Sequence, residues 1–209
     1  YIFAIIILAG LFVVNGQPVT PGVAAAVVSD SSASKSGFEP HDLVISIDGK
    51  KVRDFEDIRR EMMIALDTEK HFVVERDGET LDIYAPPEKV TVEDHFGFPH
   101  SKGVLGLLSA RNAIDITNIT KIEGKSFEDG NVEAIANELN SRLGTTFSIT
   151  MPYGEEEQTL IINPIAEKNE ALGNADKPEG KILFLYQGEA SAFAKFPPHT
   201  AMLEAIKES

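Results

Sequence analysis

The first fourteen residues, Tyr1 to Val14, are apolar without a break, and this run constrains the chain more than any other feature. Crossing a bilayer takes about 20 apolar residues, so the run is too short to span one alone. A secretory signal needs a basic stretch ahead of its apolar part, and none precedes Tyr1. A buried core helix normally keeps one polar face, yet Ile2, Phe3, Ile5, Ile6, Ile7, Leu8, Leu11, Phe12, Val13 and Val14 leave none. The expectation is that residues 1–16 are the C-terminal part of a transmembrane helix. Asn15-Gly16-Gln17-Pro18 follows, and the first Lys or Arg is Lys35. Basic residues gather on cytoplasmic flanks, so this flank suits the extracytoplasmic side.

Composition narrows the partners. The chain has 209 residues, of which 33 are acidic and 19 basic, giving a formal net charge of −14. Phosphate binding needs a basic footprint, so a nucleic-acid partner is excluded. Zero cysteines remove disulfides, thiolate zinc sites and cysteine nucleophiles. Glu155-Glu156-Glu157 and similar acidic stretches read as solvated surface.

Beyond Pro21 the pattern divides into two units. In the first, Val23–Val28 predicts a strand, Ser29-Asp30-Ser31 a capped helical turn ended by Gly37, and Leu43–Ile47 a strand turning at Asp48-Gly49. Asp54 caps a helix with Phe55, Ile58, Met62 and Leu66 on one face, and His71–Glu75 and Thr80–Ala85 form a hairpin through Asp77-Gly78. The second unit repeats the order. Ile122-Glu123-Gly124-Lys125 echoes Ile47-Asp48-Gly49-Lys50 at an offset of 75 (122 − 47). Asn131 caps a helix carrying Val132, Ile135, Leu139 and Leu143, followed by strands at Thr146–Thr150 and Gln158–Asn163. Such a period means two copies of one small domain. Glu93–His100 connects the units, Ala166–Gly180 is a loop, Ile182–Tyr186 one more strand, and a helix begins at Thr200.

Residues 23–52 resemble a bacterial PDZ domain. That pattern runs apolar strand, Ser-Pro-Ala, Ala-Gly-apolar, Gly-Asp, apolar strand, Asp/Asn-Gly-Lys; here it reads Ser31-Ser32-Ala33, Ser36-Gly37-Phe38, His41-Asp42, Leu43–Ile47 and Asp48-Gly49-Lys50. Three positions depart from it: Ser32 for Pro, Ser36 for Ala and His41 for Gly. Placed behind a membrane segment, the pattern is similar to the site-2-protease-type intramembrane zinc metalloproteases, the regulator of sigma-E protease family. The resemblance implies an α+β fold of two tandem PDZ-like domains, each a small, partly open β-barrel with capping helices, the second degenerate. The divisions expected are 1–16 (end of a transmembrane helix), 17–101 (first PDZ domain), 102–196 (second, PDZ-like) and 197–209 (start of a helix leading to the next span).

The family's zinc would be held in the full-length protein by a His-Glu-x-x-His helix. The histidines here are His41, His71, His95, His100 and His199, no two of them four apart, so neither catalytic nor metal-binding residues are expected in this chain, and His95 and His100 read as ordinary surface groups. The implied role is peptide docking or substrate filtering for an enzyme that cleaves membrane-spanning substrates, in the bacterial inner membrane with this region periplasmic. The partners implied are the membrane and a peptide or single-span membrane-protein substrate. PDZ domains add a ligand strand to a sheet edge and hold its carboxylate on a glycine-containing loop. Gly103, Val104, Leu105, Gly106 and Leu107 fit that loop, with Ile135 and Leu139 expected as the facing wall and Ile58 and Met62 as a similar wall in the first unit. The plainer alternative for Gly103–Leu107 is an edge strand with a bulge. Two other functions stay open at this point: the tandem PDZ region of a periplasmic serine protease, and a non-enzymatic membrane-anchored PDZ adaptor.

Overall fold

The computed structural model describes residues 17–93, 96–128, 131–186 and 192–194. The apolar start, His95, His199 and the helix expected from Thr200 lie outside the described residues. Strand β1 (Gln17–Val19) is followed by β2 (Ala26–Val28) and the one-turn helix α1 (Ser32–Lys35). The Ser31 hydroxyl accepts the Ser34 N–H at 3.3 Å and so starts α1. Next come β3 (Leu43–Ile47), β4 (Lys50–Lys51), α2 (Phe55–Ile64), β5 (Lys70–Arg76) and β6 (Glu79–Ala85). The Asp54 carboxylate accepts the Asp57 N–H at 2.9 Å to begin α2, and Phe55, Ile58 and Met62 turn inward. The spacing also placed Leu66 on that face, but α2 ends at Ile64 and Leu66 is left 38% exposed. These strands form a four-stranded sheet ordered β4-β3-β5-β6.

A hairpin follows that the sequence pattern did not predict: β7 (Glu88–Glu93) pairs with β8 (Pro99–Val104). Of the residues expected as a connector, Glu93, Pro99 and His100 lie on its strands, with His100 exposed on β8. The expected boundary between residues 101 and 102 falls inside β8, which packs on α2. The two-residue strand β9 (Leu107–Leu108) comes next.

The second unit comprises β10 (Ala113–Asp115), β11 (Lys121–Ile122), β12 (Lys125–Ser126), α3 (Val132–Asn140), β13 (Phe147–Tyr153) and β14 (Glu156–Ile162), then β15 (Ile182–Phe184) paired with β10. Strand β16 (Ala192–Ala194) pairs antiparallel with β1. The order β12-β11-β13-β14 repeats β4-β3-β5-β6, and the likeness reaches individual bonds. Asp48 N–H donates to His71 C=O while the His71 N–H donates to the Asp48 carboxylate; Glu123 and Ser148 make the same reciprocal pair. Lys50 pairs with Glu61 at 3.0 Å, and Lys125 with Glu138 at 2.7 Å. Hydrogen bonds from the Lys70 ammonium and His71 amide hold the Asp48 carboxyl below its ordinary range, and those from the Ser148 amide and hydroxyl do the same for Glu123.

The two units share a sheet. Strand β14 continues into β2 and then β9, giving the order β12-β11-β13-β14-β2-β9. No closed barrel forms among the described residues; the strands lie in open sheets. Side chains alternate across a strand, and here each face meets a different core. Ala26, Leu160 and Ile162 join Ile122, Ile135, Leu139, Phe147 and Leu183 on one side. Val27 and Ile161 face Val44, Ile47, Ile58, Phe72 and Val74 on the other. Burial on both faces explains why Val23–Val28 and Leu160-Ile161-Ile162 are continuously apolar rather than alternating.

Candidate functional site

Two glycines set the geometry of the segment between β8 and β9. A Cβ on Gly103 would lie 2.2 Å from the Met62 carbonyl oxygen, so only glycine lets β8 close against the end of α2. Gly106 has φ +94, and a Cβ there would meet the Ser31 hydroxyl oxygen at 2.3 Å. The chain thus leaves β8, passes close over the N-cap of α1, and enters β9.

Fixed carbonyls aim the amides. Leu105 C=O accepts the Ala33 N–H, and Gly106 C=O accepts the Val28 N–H, both at 2.8 Å. In a trans peptide the C=O and the next N–H point in opposite directions, and none of the described peptide bonds is cis. The Gly106 and Leu107 N–H groups therefore point away from α1 and β2. The same segment walls a cavity of about 410 Å³, together with Val28 and with Phe55, Ile58, Arg59, Met62 and Met63 of α2.

The residues singled out from sequence divide between two places. Gly103, Val104, Leu105, Gly106, Leu107, Ile58 and Met62 line this one cavity. Ile135 and Leu139 do not: they are 1% and 0% exposed, in a core with Leu172, Leu183 and Leu185. The wall facing the loop is thus α2, not α3 as expected. The hairpin β7–β8 turns the chain back on the first unit and carries the loop to a helix about forty residues upstream. Sequence reasoning also missed three cations. Arg59 and Lys102 line the cavity, and Arg111 lines an adjoining one of about 660 Å³ that shares Phe55, Arg59 and Leu107. Arg59 lies four residues before Met63, so helical spacing was a usable signal; Arg111 follows β9 and carried none.

Among the described residues, no group of three or more His, Cys, Asp or Glu side chains could hold a metal ion. No helix among them is long and apolar enough to cross a membrane.

Comparison with known proteins agrees with the fold. The PDZ domain family profile matches residues 23–76. A protein of Agrobacterium fabrum carrying a zinc metalloprotease name is 32% identical over 130 residues, 62% of this chain and 34% of its own length. Metalloprotease MmpA of Caulobacter vibrioides is 32% identical over 110 residues, covering 53% of this chain and 28% of that protein. Regulator of sigma-W protease RasP of Bacillus subtilis is 29% identical over 142 residues, 61% of this chain and 34% of RasP. The PDZ match and these similarities support a site-2-protease-family protein with a PDZ region. The chain spans about a third of the length of these relatives. Within this PDZ region, His41 stands where the bacterial PDZ pattern has glycine, and its φ of +77 shows why that position favours glycine.

Proposed function

We propose that this chain is the peptide-docking PDZ region of an intramembrane zinc metalloprotease, filtering membrane-spanning substrates before cleavage. The carrying observation is a cavity walled by Gly103–Leu107 beside an edge strand and by a helix, at a segment whose Gly106 and Leu107 N–H groups face away from α1 and β2. A free peptide carboxylate would be held by those amides, and the peptide would extend β9 as a further strand. The cavity's apolar lining suits an aliphatic last residue, and methionine adapts to several shapes.

On this reading the catalytic His-Glu-x-x-His helix and its zinc lie in the whole protein outside these 209 residues. The pairing of β1 with β16 supports an insert between two membrane helices, because both connections then leave from one ladder. The basic-free flank before Lys35 supports placement on the periplasmic side of the bacterial inner membrane. The second unit is a diverged PDZ copy with its helix face filled: Leu172, Leu183 and Leu185 bury Ile135 and Leu139. The first PDZ unit then reaches Leu108, and the second unit begins after it.

Anisotropy of a labelled decapeptide ending in valine, titrated with the full chain in neutral detergent micelles, tests the docking. Amidating the peptide's terminus is expected to weaken binding by about tenfold or more, the loss of one charge-assisted contact. Equal binding of acid and amide, or no binding of either, would overturn the reading.

A further inference from the structure

The groove is charged oppositely to the chain that bears it. Its two cavities adjoin, sharing Phe55, Arg59 and Leu107, and together form a cleft lined by Leu107 and Leu108 of the edge strand β9. The ionised side chains lining the cleft are Arg59, Lys102, Arg111 and Glu56, a net of +2 (three cations, one carboxylate), against −14 for the chain. Neither Lys102 nor Arg111 forms an ion pair among the described residues. Arg59 does pair with Glu56 at 2.9 Å, but with side chains 63% and 61% exposed the pair is weak and a ligand carboxylate can replace it.

The cations are also ordered along the cleft. Lys102 adjoins Gly103 at the loop end, Arg59 lies on α2 midway, and Arg111 follows β9 at the far end. An extended peptide rises about 3.3 Å per residue. With its carboxylate on the Gly106 and Leu107 amides, it brings the residues roughly two to four positions before its end beside Arg59 and Arg111.

We infer that the groove selects peptides that are acidic just before an apolar C-terminal residue, with Arg59 and Arg111 as the specificity-determining side chains. This rests on the docking reading above and adds charge selection to it. Complementary charge discriminates among partners by penalising the wrong sign as well as favouring the right one.

Three decapeptides with a free terminal valine, carrying glutamate, alanine or lysine at the three positions two to four before the end, are titrated with the full chain in neutral micelles. The glutamate peptide is expected to bind about fivefold more tightly than the alanine peptide, with the lysine peptide weakest. Raising salt from about 0.05 to about 0.5 M should shrink that ratio, since these contacts are exposed. In the double variant Arg59→Gln, Arg111→Gln the glutamate-to-alanine ratio, measured within the variant, should approach one. Equal affinity of all three peptides, with the amidated control still weak, would overturn charge selection and leave docking intact. A preference retained by the double variant would overturn the assignment to these arginines. Failure of every peptide to bind would overturn both.

Discussion

The imidazole Nε2 of His41 lies 2.6 Å from the main-chain oxygen of Asn163, joining the first unit to the end of the second unit's β14. The same ring tilts against Tyr186 with centroids 6.1 Å apart. His41 holds φ +77 while doing so, a conformation that costs a non-glycine residue roughly 1–2 kcal/mol. The departure from the PDZ glycine is thereby explained: backbone strain is exchanged for a contact between units.

His41→Gly and His41→Ala separate the two effects. Both lose the bond to Asn163, but only alanine keeps the strain. The glycine variant should be the more stable by about 1 kcal/mol, a melting difference of roughly 2–4 °C for a chain of this size. Alanine matching or exceeding glycine would refute the strain.

Gly106→Ala combines a left-handed backbone with a clash at Ser31, whereas Gly78 has φ +81 with nothing within 4 Å of its missing Cβ. Gly78→Ala should cost about 1 kcal/mol and Gly106→Ala about 2–3, read by urea unfolding. Peptide binding should fall for Gly106→Ala alone.

Acid should weaken the fold through the paired turns. Asp48 and Glu123 are held below their ordinary values of 3.8 and 4.5. Their stabilisation is therefore present above those values and is lost as pH falls through the depressed ones. Both groups are largely exposed, so screening limits the joint effect to about 1 kcal/mol. The double variant Asp48→Asn, Glu123→Gln should show a flatter melting temperature below about pH 4.5. A slope equal to the parent's would assign the acid sensitivity elsewhere.

A sheet with a core on each face ties the units into one folding event. The chain lacks tryptophan, so Tyr84→Trp and Tyr153→Trp, at positions 57% and 69% exposed, report on the units separately. Their denaturation curves should superimpose; separate midpoints would mean that β2 and β14 part before either core melts.

Local chemistry was legible from the residues. Asp54 and Asn131 cap the two helices where their spacing placed them, and Asp48-Gly49, Asp77-Gly78 and Glu123-Gly124 turn with positive φ. Pairing between distant segments was not. Nothing in Gly103–Leu107 marks α2 rather than α3 as its neighbour, because both helices present the same 3-4-4 apolar spacing. Val23–Val28 read as a strand, but nothing in it named β14 as its partner. The β7–β8 hairpin was missed although Val90 and Val92 alternate with polar residues, the ordinary signature of a half-exposed strand.

The jaws of the cleft belong to different sheets. Strand β9 hangs from β2 and β14, while α2 rests on β3, β5 and β6. Its aperture is therefore tied to the angle between those sheets, and under the docking proposed above a seated tail would resist their rotation like a pin across a hinge. Any tilt imposed on the second unit from outside would be felt as tightening or release at Gly106.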